Sequence, residues 1–431
     1  MLLLLQVLFA VGFLLSSPFY LLKMLRRGNF ARGFWQRFAI YSTEVRQEAG
    51  NGGFVWIQAV SVGETRVALL LIERMRQRWP DLRIALSTTT STGQALARKQ
   101  APPGVLVIYF PLDFLPCMNR AMDLLRPRLV IVVETEVWPT LVLQSARRGV
   151  PVAMVNGRMS EKSFRGYRCI GGLSRRVFGA FDLVCAQGAR DAGRFRKLGA
   201  RDMALCTTGS LKFDEAQVPS PVSAQARAFL RACGVGDDRP IWVCGSTHAG
   251  EEEIAFHVFR ELRATFPSLF LVLAPRHPER TKEVLAVAER CGVRVTLRTQ
   301  PPQPGADCLL LNTTGELKAF YEAATVIFVG KSLRGRGGQN IIEAAATGAP
   351  VLFGPAMQNF EAIADDFVRA GAGVQVADEK ALRSALEELL AKPERRREIA
   401  EHARQVIAQG SGATERTLEA LEKLVKNHER E

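Results

Sequence analysis

The chain has 431 residues, of which 47% are hydrophobic and 23% charged, and its formal net charge is +14. This length accommodates two ordinary domains, and this balance of residues excludes a disordered or fibrous protein. The positive charge calls for an acidic partner: nucleic acid, anionic lipid or a phosphorylated small molecule. The sequence has no arginine-rich run and no interleaving of aromatic with basic residues, so we discount nucleic acid.

Residues 2–22 are nearly all apolar and are about long enough to cross the hydrocarbon core of a bilayer. Basic residues follow this stretch, whereas in a cleaved signal peptide they would precede it. We therefore predict a membrane anchor over residues 1–28, with everything after it on the cytoplasmic side. The Ser-Ser-Pro sequence at 16–18 leaves open a helix that lies flat in the membrane interface.

From residue 54 onward, short apolar runs alternate with stretches of helical periodicity, such as 64–78 and 114–125. This alternation predicts parallel sheets that are covered by helices on both faces. A polar stretch at 214–225 interrupts the pattern and is predicted to be a linker. We therefore expect an α/β protein with two doubly wound domains, 29–213 and 226–431, that bind ligands at the carboxyl ends of their strands. The predicted strands are FVWIQA, LRIALS, VLVIYF, LVIVV, PVAMVN and DLVCAQ in the first domain, and IWVCGS, LFLVLAP, VRVTL, CLLLN, TVIFVG and PVLFG in the second.

The eight cysteines form no CxxC pair and no cluster with histidine. This spacing argues against a metal site and against a disulfide framework. Several cysteines lie inside apolar runs, as Cys185 and Cys244 do, which is typical of small buried side chains in a reducing compartment.

In the first predicted domain, charged residues follow two of the strands, and another lies at the end of the domain. Glu64, in the motif SVGE, comes directly after the first strand, where a carboxylate is placed to act as a general base. The alternative is an acid that stabilises the start of a helix. Glu134 and Glu136 emerge from the strand LVIVV, and two acids there are costly unless they are hydrogen-bonded, paired or used. With no histidine nearby, we expect these acids to hold a cation or an acceptor hydroxyl without a metal.

Lys212 lies where the first domain ends, in the motif GSLKFD. A lysine at a domain junction can meet charge that develops in a cleft, although a solvated surface lysine is the commoner case.

The second predicted domain carries three turns suited to phosphate binding. Residues 245–251 follow a strand and open a helix, so their amides can face an anion. Arg276 follows the next strand, where its guanidinium can clamp a phosphate. The glycine-rich turn 335–340 leads into a helix whose Glu343 can accept hydrogen bonds from ribose hydroxyls. Each turn alone is common, but three in one domain indicate a nucleotide site.

Together these motifs resemble those of the 3-deoxy-D-manno-octulosonic acid (Kdo) transferases, over nearly the whole chain. The resemblance implies the GT-B fold, with two Rossmann-like domains facing a cleft. It also implies inverting transfer of Kdo from CMP-Kdo to a lipid A precursor at the cytoplasmic face of the inner membrane, in lipopolysaccharide synthesis, with no cofactor and no bound metal. The motifs that carry it are SVGE, YFPLD, ETEVWP, GSLKFD, GSTHAGE, PRHPER, GELKAFY and GGQNIIEAAATGAPVLFGP.

The resemblance also assigns roles to residues. Glu64 would be the general base, and Glu134 and Lys212 would stabilise the transition state. The sequence departs from the family's pattern at Gln58, where histidine is usual, and at Lys331, which interrupts a Gly-Gly pair. A third departure is Gln339, in place of the histidine of GGHN. The residues expected to contact CMP are Arg276, His277, Gly315, Glu316, Leu317, Asn340, Ile341, Ile342 and Glu343.

Other functions remain compatible with parts of this pattern. Within the same class, the donor could be a different nucleotide sugar. A nucleotide-sugar epimerase on a GT-B-like scaffold needs no membrane, so the apolar N-terminus argues against it. A non-catalytic lipid or nucleotide binder has no physical reason to keep Glu64 at the end of a strand.

Overall fold

The computed structural model describes residues 33–135 and 137–426. The predicted anchor at 1–28 and the acid Glu136 lie outside the described residues. In the part of the chain that is described, every helix is too short or too polar to span a bilayer.

The chain divides into two units, and the first comprises Met1–Leu211 and Gly412–Glu431. Its sheet has seven strands: β1 (Val55–Ala59), β2 (Ile84–Thr88), β3 (Leu106–Tyr109), β4 (Leu129–Val133), β5 (Val152–Gly157), β6 (Leu183–Ala186) and β7 (Leu205–Thr207). All are parallel, in the spatial order β3-β2-β1-β4-β5-β6-β7. The order reverses between β1 and β4, and open α/β sheets bind ligands at the strand ends beside such a reversal.

Helices cover both faces of this sheet, so its strands are apolar on both sides. Alternate residues of β1 point to opposite faces: Trp56 joins one apolar layer, and Val55 and Ile57 join the other. These strands therefore have continuous apolar sequences instead of alternating ones. The helices up to the end of β7 are α1 (Thr43–Ala49), α2 (Val62–Arg78), α3 (Ser91–Gln100), α4 (Leu115–Leu125), α5 (Pro139–Arg147), α6 (Glu161–Cys169), α7 (Gly171–Phe178) and α8 (Ala189–Leu198).

The second unit, Lys212–Ser411, contains another parallel sheet of seven strands. These are β8 (Ile241–Thr247), β9 (Phe270–Pro275), β10 (Val295–Leu297), β11 (Cys308–Leu310), β12 (Val326–Val329), β13 (Val351–Phe353) and β14 (Val374–Gln375). Their order is β10-β11-β9-β8-β12-β13-β14, with the reversal between β8 and β12. The helices are α9 (Lys212–Gln217), α10 (Ser223–Ala232), α11 (Glu251–Thr265), α12 (Thr281–Arg290), α13 (Leu317–Tyr321), α14 (Ile342–Ala345), α15 (Glu361–Arg369), α16 (Glu379–Ala391) and α17 (Pro393–Gly410).

A last helix, α18 (Ala413–Lys426), returns to the first unit. Its Leu418, Leu421 and Val425 are buried in the apolar layer that also holds Ile57 of β1. Arg78 of α2 pairs with Glu422 at 3.1 Å.

Two predicted boundaries differ from these units. The predicted second domain, 226–431, includes α18, which the structure groups with the first unit. An amphipathic helix shows that it packs against something, but its sequence does not show which sheet it packs against. The predicted linker, 214–225, instead contains most of α9 and the start of α10. These short polar segments form hydrogen bonds with the side chains of Lys318 and Glu322.

The predicted architecture of two parallel α/β domains is confirmed, and all twelve predicted strands are present. The helices predicted at 64–78 and 114–125 are Val62–Arg78 and Leu115–Leu125. The prediction missed β7 and β14, which lie at sheet edges, are three and two residues long and are partly exposed.

Candidate active site

Glu64 lies in the first turn of α2, directly after β1, and its residue is 7% exposed. Its Oε2 accepts the N–H of Val60 at 2.7 Å, and its Oε1 accepts the hydroxyl of Ser61 at 2.8 Å. Ser61 is the N-cap of α2, and its oxygen accepts the N–H of Glu64 at 3.4 Å. This reciprocal arrangement resembles a capping box. The acid thus stabilises a helix start, and the same bonds fix its carboxylate at the edge of the sheet where the strands end.

Glu134 follows β4, the strand beside β1, so both acids leave the same edge at the reversal. Its backbone φ is +61°, in the left-handed region that residues other than glycine rarely adopt. Such conformations cost of order 1–3 kcal/mol and cluster at functional sites. Its Oε2 lies 4.0 Å from a guanidinium nitrogen of Arg158, and Asn156 Nδ2 donates to its Oε1 at 3.5 Å.

Asn156, at the end of β5, is fully buried and also has a positive φ, +55°. Besides donating to Glu134, it accepts the N–H of Leu211 at 3.0 Å through Oδ1. Leu211 is the residue before Lys212, so one buried amide fixes both the second acid and the end of the first unit. A buried side-chain amide whose nitrogen and oxygen are both hydrogen-bonded holds its two partners in one arrangement.

Asp113, from the YFPLD motif, fixes the segment that follows Glu134. Its carboxylate accepts the N–H groups of Thr140 at 2.8 Å and Leu141 at 2.9 Å, at the start of α5. It is 3% exposed, and this burial raises its pKa to about 7, although the two N–H bonds and the Thr140 hydroxyl act in the opposite direction.

Lys212 opens α9 in the second unit, where its Nζ lies 5.5 Å from the centre of the Phe360 ring. The other end of α9 is held by Lys318, whose buried Nζ donates to the carbonyls of Ala216 at 2.7 Å and Glu215 at 3.3 Å. Lys318, from the GELKAFY motif, therefore positions the helix that carries Lys212.

In the second unit, the carboxylate of Glu251 organises the loop that follows β12. Its oxygens accept five backbone N–H groups, those of His248, Lys331, Ser332, Leu333 and Arg334, at 2.6–3.1 Å. Glu251 is 1% exposed. We expected the 245–251 turn to offer amides to a phosphate, but the N–H of His248 is already used by this internal anion.

Positive charge gathers where β8, β9 and β12 end. Burial, followed by the charges of Lys331, His277, Arg276 and Arg280, lowers the pKa of His248 to about 4. The rings of His248 and His277 meet edge to face at 5.6 Å. Arg276 and His277 are exposed. This edge of the sheet can therefore attract a phosphate.

Arg280, the third cation of the PRHPER motif, has a structural partner. It binds the carboxylate of Glu252 at 2.8 Å, and Glu252 is 2% exposed. This pair ties the 276–280 segment to α11, so Arg276 and Arg280 have different roles despite their proximity.

The segment 315–317 follows β11. Glu316 is bound to Arg298 at 2.8 Å and accepts the Thr313 hydroxyl at 2.5 Å, so its side chain stabilises its own loop. Gly315 has a φ of +88°.

The turn before α14 depends on glycine. A Cβ on Gly338 would lie 2.6 Å from Met357 Sδ, and one on Gly337 would lie 2.5 Å from the Asn359 side chain. Asn340 accepts the N–H of Ile342 at 3.1 Å. The side chains of Ile341 and Ile342 are fully buried in the core, so only their backbone can face a ligand.

Glu343 is half-buried near Tyr321. The burial of Tyr321, followed by the negative charge of Glu343, raises the pKa of Tyr321. Tyr321 in turn requires Gly245, because a Cβ there would lie 1.8 Å from its hydroxyl oxygen.

Comparison with known proteins identifies the family. Residues 32–215 match the model described as 3-deoxy-D-manno-octulosonic-acid transferase (kdotransferase), and residues 303–406 match glycosyl transferases group 1. The chain is 36% identical to the 3-deoxy-D-manno-octulosonic acid transferase of Bordetella pertussis, over 94% of this chain and 96% of that one. This chain belongs to the Kdo transferase family. It is also 31% identical to the Haemophilus influenzae enzyme of that name, over 85% and 86% of the two chains.

A solved structure shares the fold of this Kdo transferase family member. UDP-GlcNAc 2-epimerase from Neisseria meningitidis, bound to UDP-GlcNAc, gives a TM-score of 0.58 over 86% of this chain and 99% of that one. The two chains are 15% identical, so the likeness concerns the fold alone.

In this member of the Kdo transferase family, each unit gathers its own part of the expected site. Glu64 and Glu134 follow neighbouring strands at one sheet edge, and Arg276 and His277 lie at the corresponding edge of the other sheet. Sequence reasoning missed the organising residues Asn156, Glu251 and Lys318. Asn156 ends the predicted strand PVAMVN, and Glu251 comes after the predicted strand IWVCGS; those positions were the available signal. The partners of Lys318 lie about a hundred residues away in sequence.

Proposed function

We propose that this protein transfers Kdo from CMP-Kdo to a lipid A precursor, with inversion at the anomeric carbon. The observation that carries the proposal is that a chain of the Kdo transferase family keeps Glu64 and Glu134 at the two strands where the sheet order reverses. Parallel sheets bind their ligands at such a place.

In the chemical step, Glu64 takes the proton from the acceptor hydroxyl while the oxygen of that hydroxyl bonds to the anomeric carbon. The bond between that carbon and the phosphate oxygen breaks at the same time, and CMP leaves with the bonding electrons. Attack opposite the leaving group inverts the anomeric centre. A hydroxyl is a poor nucleophile until its proton is taken, and a positioned carboxylate typically contributes about 10²–10⁴-fold.

Glu134 and Lys212 stabilise the charges that develop in this step. A carboxylate favours positive charge at the anomeric carbon, and an ammonium favours the negative charge that passes to the leaving phosphate. The buried supports of both groups, Asn156 and Lys318, hold them in place before the reaction.

The second unit binds the nucleotide. Arg276 supplies a cationic donor for the phosphate, and such a charged contact is stronger than a neutral hydrogen bond. His277 offers a ring N–H beside it. Glu343 accepts hydrogen bonds from the ribose, and the backbone of 315–317 and 340–342 completes the contacts to CMP.

The acceptor is a membrane lipid, so we propose that the protein works at the cytoplasmic surface of the inner membrane. The support is the apolar run at 2–22 and the basic residues after it. Deleting residues 1–28 should release the protein from the membrane fraction, and a full-length protein that is soluble without detergent would contradict this part of the proposal.

The decisive experiment incubates purified protein with CMP-Kdo and tetraacylated lipid A precursor and weighs the lipid product by mass spectrometry. We expect the mass to rise by Kdo units and CMP to be released. The control reaction uses Glu64→Gln. A product that forms with another nucleotide sugar but not with CMP-Kdo would show that the donor is wrong.

A further inference from the structure

Lys331 occupies an unusual backbone position at the nucleotide edge of the second sheet. It comes two residues after β12, which pairs with β8 through Val329 and Gly245 at the reversal of strand order. Its φ is +59°, in the left-handed region where a residue with a Cβ costs roughly 1–2 kcal/mol relative to glycine. A lysine there is tolerated only because its surroundings fix it.

The fixing contact is the carboxylate of Glu251. Its Oε2 accepts the N–H of Lys331 at 2.6 Å, and its Oε1 accepts those of Ser332 and Leu333 at 3.0 Å each. Gly330 permits this close approach, since a Cβ there would lie 2.9 Å from Glu251 Oε2. The backbone amides of residues 331–334 are thus used internally, so at Lys331 the side chain is the part left to meet a ligand.

The charges around Lys331 do not neutralise it. Across residues 33–135 and 137–426, no carboxylate oxygen pairs within 4.0 Å with Lys331 or with Arg276. The nearby acids are engaged elsewhere: Glu251 by backbone N–H groups and Glu252 by Arg280 at 2.8 Å. Lys331 and Arg276 both act on His248, whose buried Nε2 lacks a hydrogen-bond partner within the described structure. The strand ends therefore carry excess positive charge.

We propose that Lys331 is a donor-binding residue that, together with Arg276, contacts an anionic group of the nucleotide sugar. This inference rests on the proposed function for the identity of the donor. CMP-Kdo has two such groups, the phosphate and the carboxylate of the sugar, and both offer oxygen acceptors to an ammonium. The side chain at this position then sets how tightly the anionic donor is held.

The test compares three substitutions at one position. Lys331→Gln removes the charge, Lys331→Gly removes the whole side chain and suits the left-handed backbone, and Lys331→Arg keeps the charge. Lys380→Gln is the matched control, because Lys380 is an exposed lysine on α16 and the change in net charge is the same. The probes are cytidine, CMP and CMP-Kdo, measured by calorimetry and by initial rates.

We expect Lys331→Gln and Lys331→Gly to raise the KM for CMP-Kdo about tenfold or more, since a charge-assisted contact is lost. Lys331→Arg, which keeps the charge, should raise the KM less than Lys331→Gln does, and Lys380→Gln should leave it near the wild-type value. The difference should shrink at high salt because the contact is electrostatic. Lys331→Gly should unfold at no lower temperature than wild type, so that its weaker binding cannot be ascribed to misfolding.

The two anionic groups give different results. If the phosphate is the partner, the affinity for CMP falls together with the rise in KM, and the preference for CMP over cytidine shrinks. If the sugar carboxylate is the partner, the KM rises while the affinity for CMP is unchanged.

The inference is overturned if Lys331→Gln and Lys331→Gly both leave the CMP affinity and the KM within about twofold of wild type. It is also overturned if the wild type prefers CMP to cytidine no more than the Lys331 variants do and the KM is unchanged. If the wild type transfers no Kdo but prefers CMP to cytidine, and Lys331→Gln loses that preference, the proposed function is contradicted. The anion contact is then still supported.

Discussion

Ser61 and Glu64 hold each other at the start of α2: the Ser61 hydroxyl donates to Glu64 Oε1 at 2.8 Å and accepts the Glu64 N–H at 3.4 Å. The proposed base is therefore also a helix-capping residue. Its substitution should affect both stability and rate, and the two effects can be separated.

Glu64→Gln keeps the shape of the side chain and removes its basicity. We expect turnover to fall by at least about 10²–10⁴-fold, while CMP affinity, which belongs to residues of the second unit, stays unchanged. The comparison is Ser61→Ala, which should cost about 1 kcal/mol of stability through the lost cap and reduce the rate much less. Steady-state rates, calorimetry with CMP and thermal unfolding measure the three quantities. A retained rate in Glu64→Gln would transfer the role to Glu134 or Glu136.

Arg276 and Arg280 lie in one short motif and should respond oppositely to substitution. Arg276→Ala should weaken CMP binding by about 1.5–3 kcal/mol and leave the unfolding midpoint unchanged, because the side chain is exposed. Arg280→Ala leaves the buried carboxylate of Glu252 without its cation, which should cost about 3–5 kcal/mol of stability. Calorimetry and urea unfolding distinguish the two, and an unchanged CMP affinity in Arg276→Ala would remove that residue from the site.

Asp113 should make stability depend on pH in a defined direction. Burial raises its pKa from 3.8 to about 7, so the folded protein holds this proton more tightly than the unfolded chain. The contribution of this proton to the free energy of unfolding is fully present below about pH 4. It is lost as the pH rises to about 7, at up to roughly 1.4 kcal/mol per pH unit. Asp113→Asn is neutral throughout and should lack this loss. Urea midpoints of both proteins from pH 4 to 8 test this, and parallel curves would contradict it.

Lys318→Met should loosen α9. The substitution removes the buried ammonium from the carbonyls of Glu215 and Ala216, which should cost about 1–3 kcal/mol of stability. Because α9 begins with Lys212, we also expect a lower kcat with little change in CMP affinity. Lys282→Met, on the exposed face of α12, is the control. Equal unfolding midpoints and rates in Lys318→Met and wild type would show that this contact positions nothing.

The sequence predicted the strands well because both sheets are buried on two faces, which turns each strand into an unbroken apolar run. The same reasoning placed Glu64, Glu134 and Arg276 at strand ends. It could not find the contacts between distant segments. Glu251 binds amides about eighty residues further along the chain, and no local pattern records that pairing.

Register also escaped prediction. The cysteines are isolated in the sequence, yet Cys185 and Cys206 pair across β6 and β7 with their sulfur atoms 3.5 Å apart. Both are free thiols, and which residues face each other depends on the alignment of strands that are about twenty residues apart.

The position of α18 has a consequence for synthesis and truncation. Since α18 completes the first unit, translation must pass through the whole second unit before the first unit can close its apolar layer over Val67 and Leu71. A premature stop codon or a protease cut after residue 411 would therefore damage the unit that carries Glu64 and Glu134. The contiguous second unit would keep all of its own chain, so fragments recovered from such events should be enriched in Lys212–Ser411.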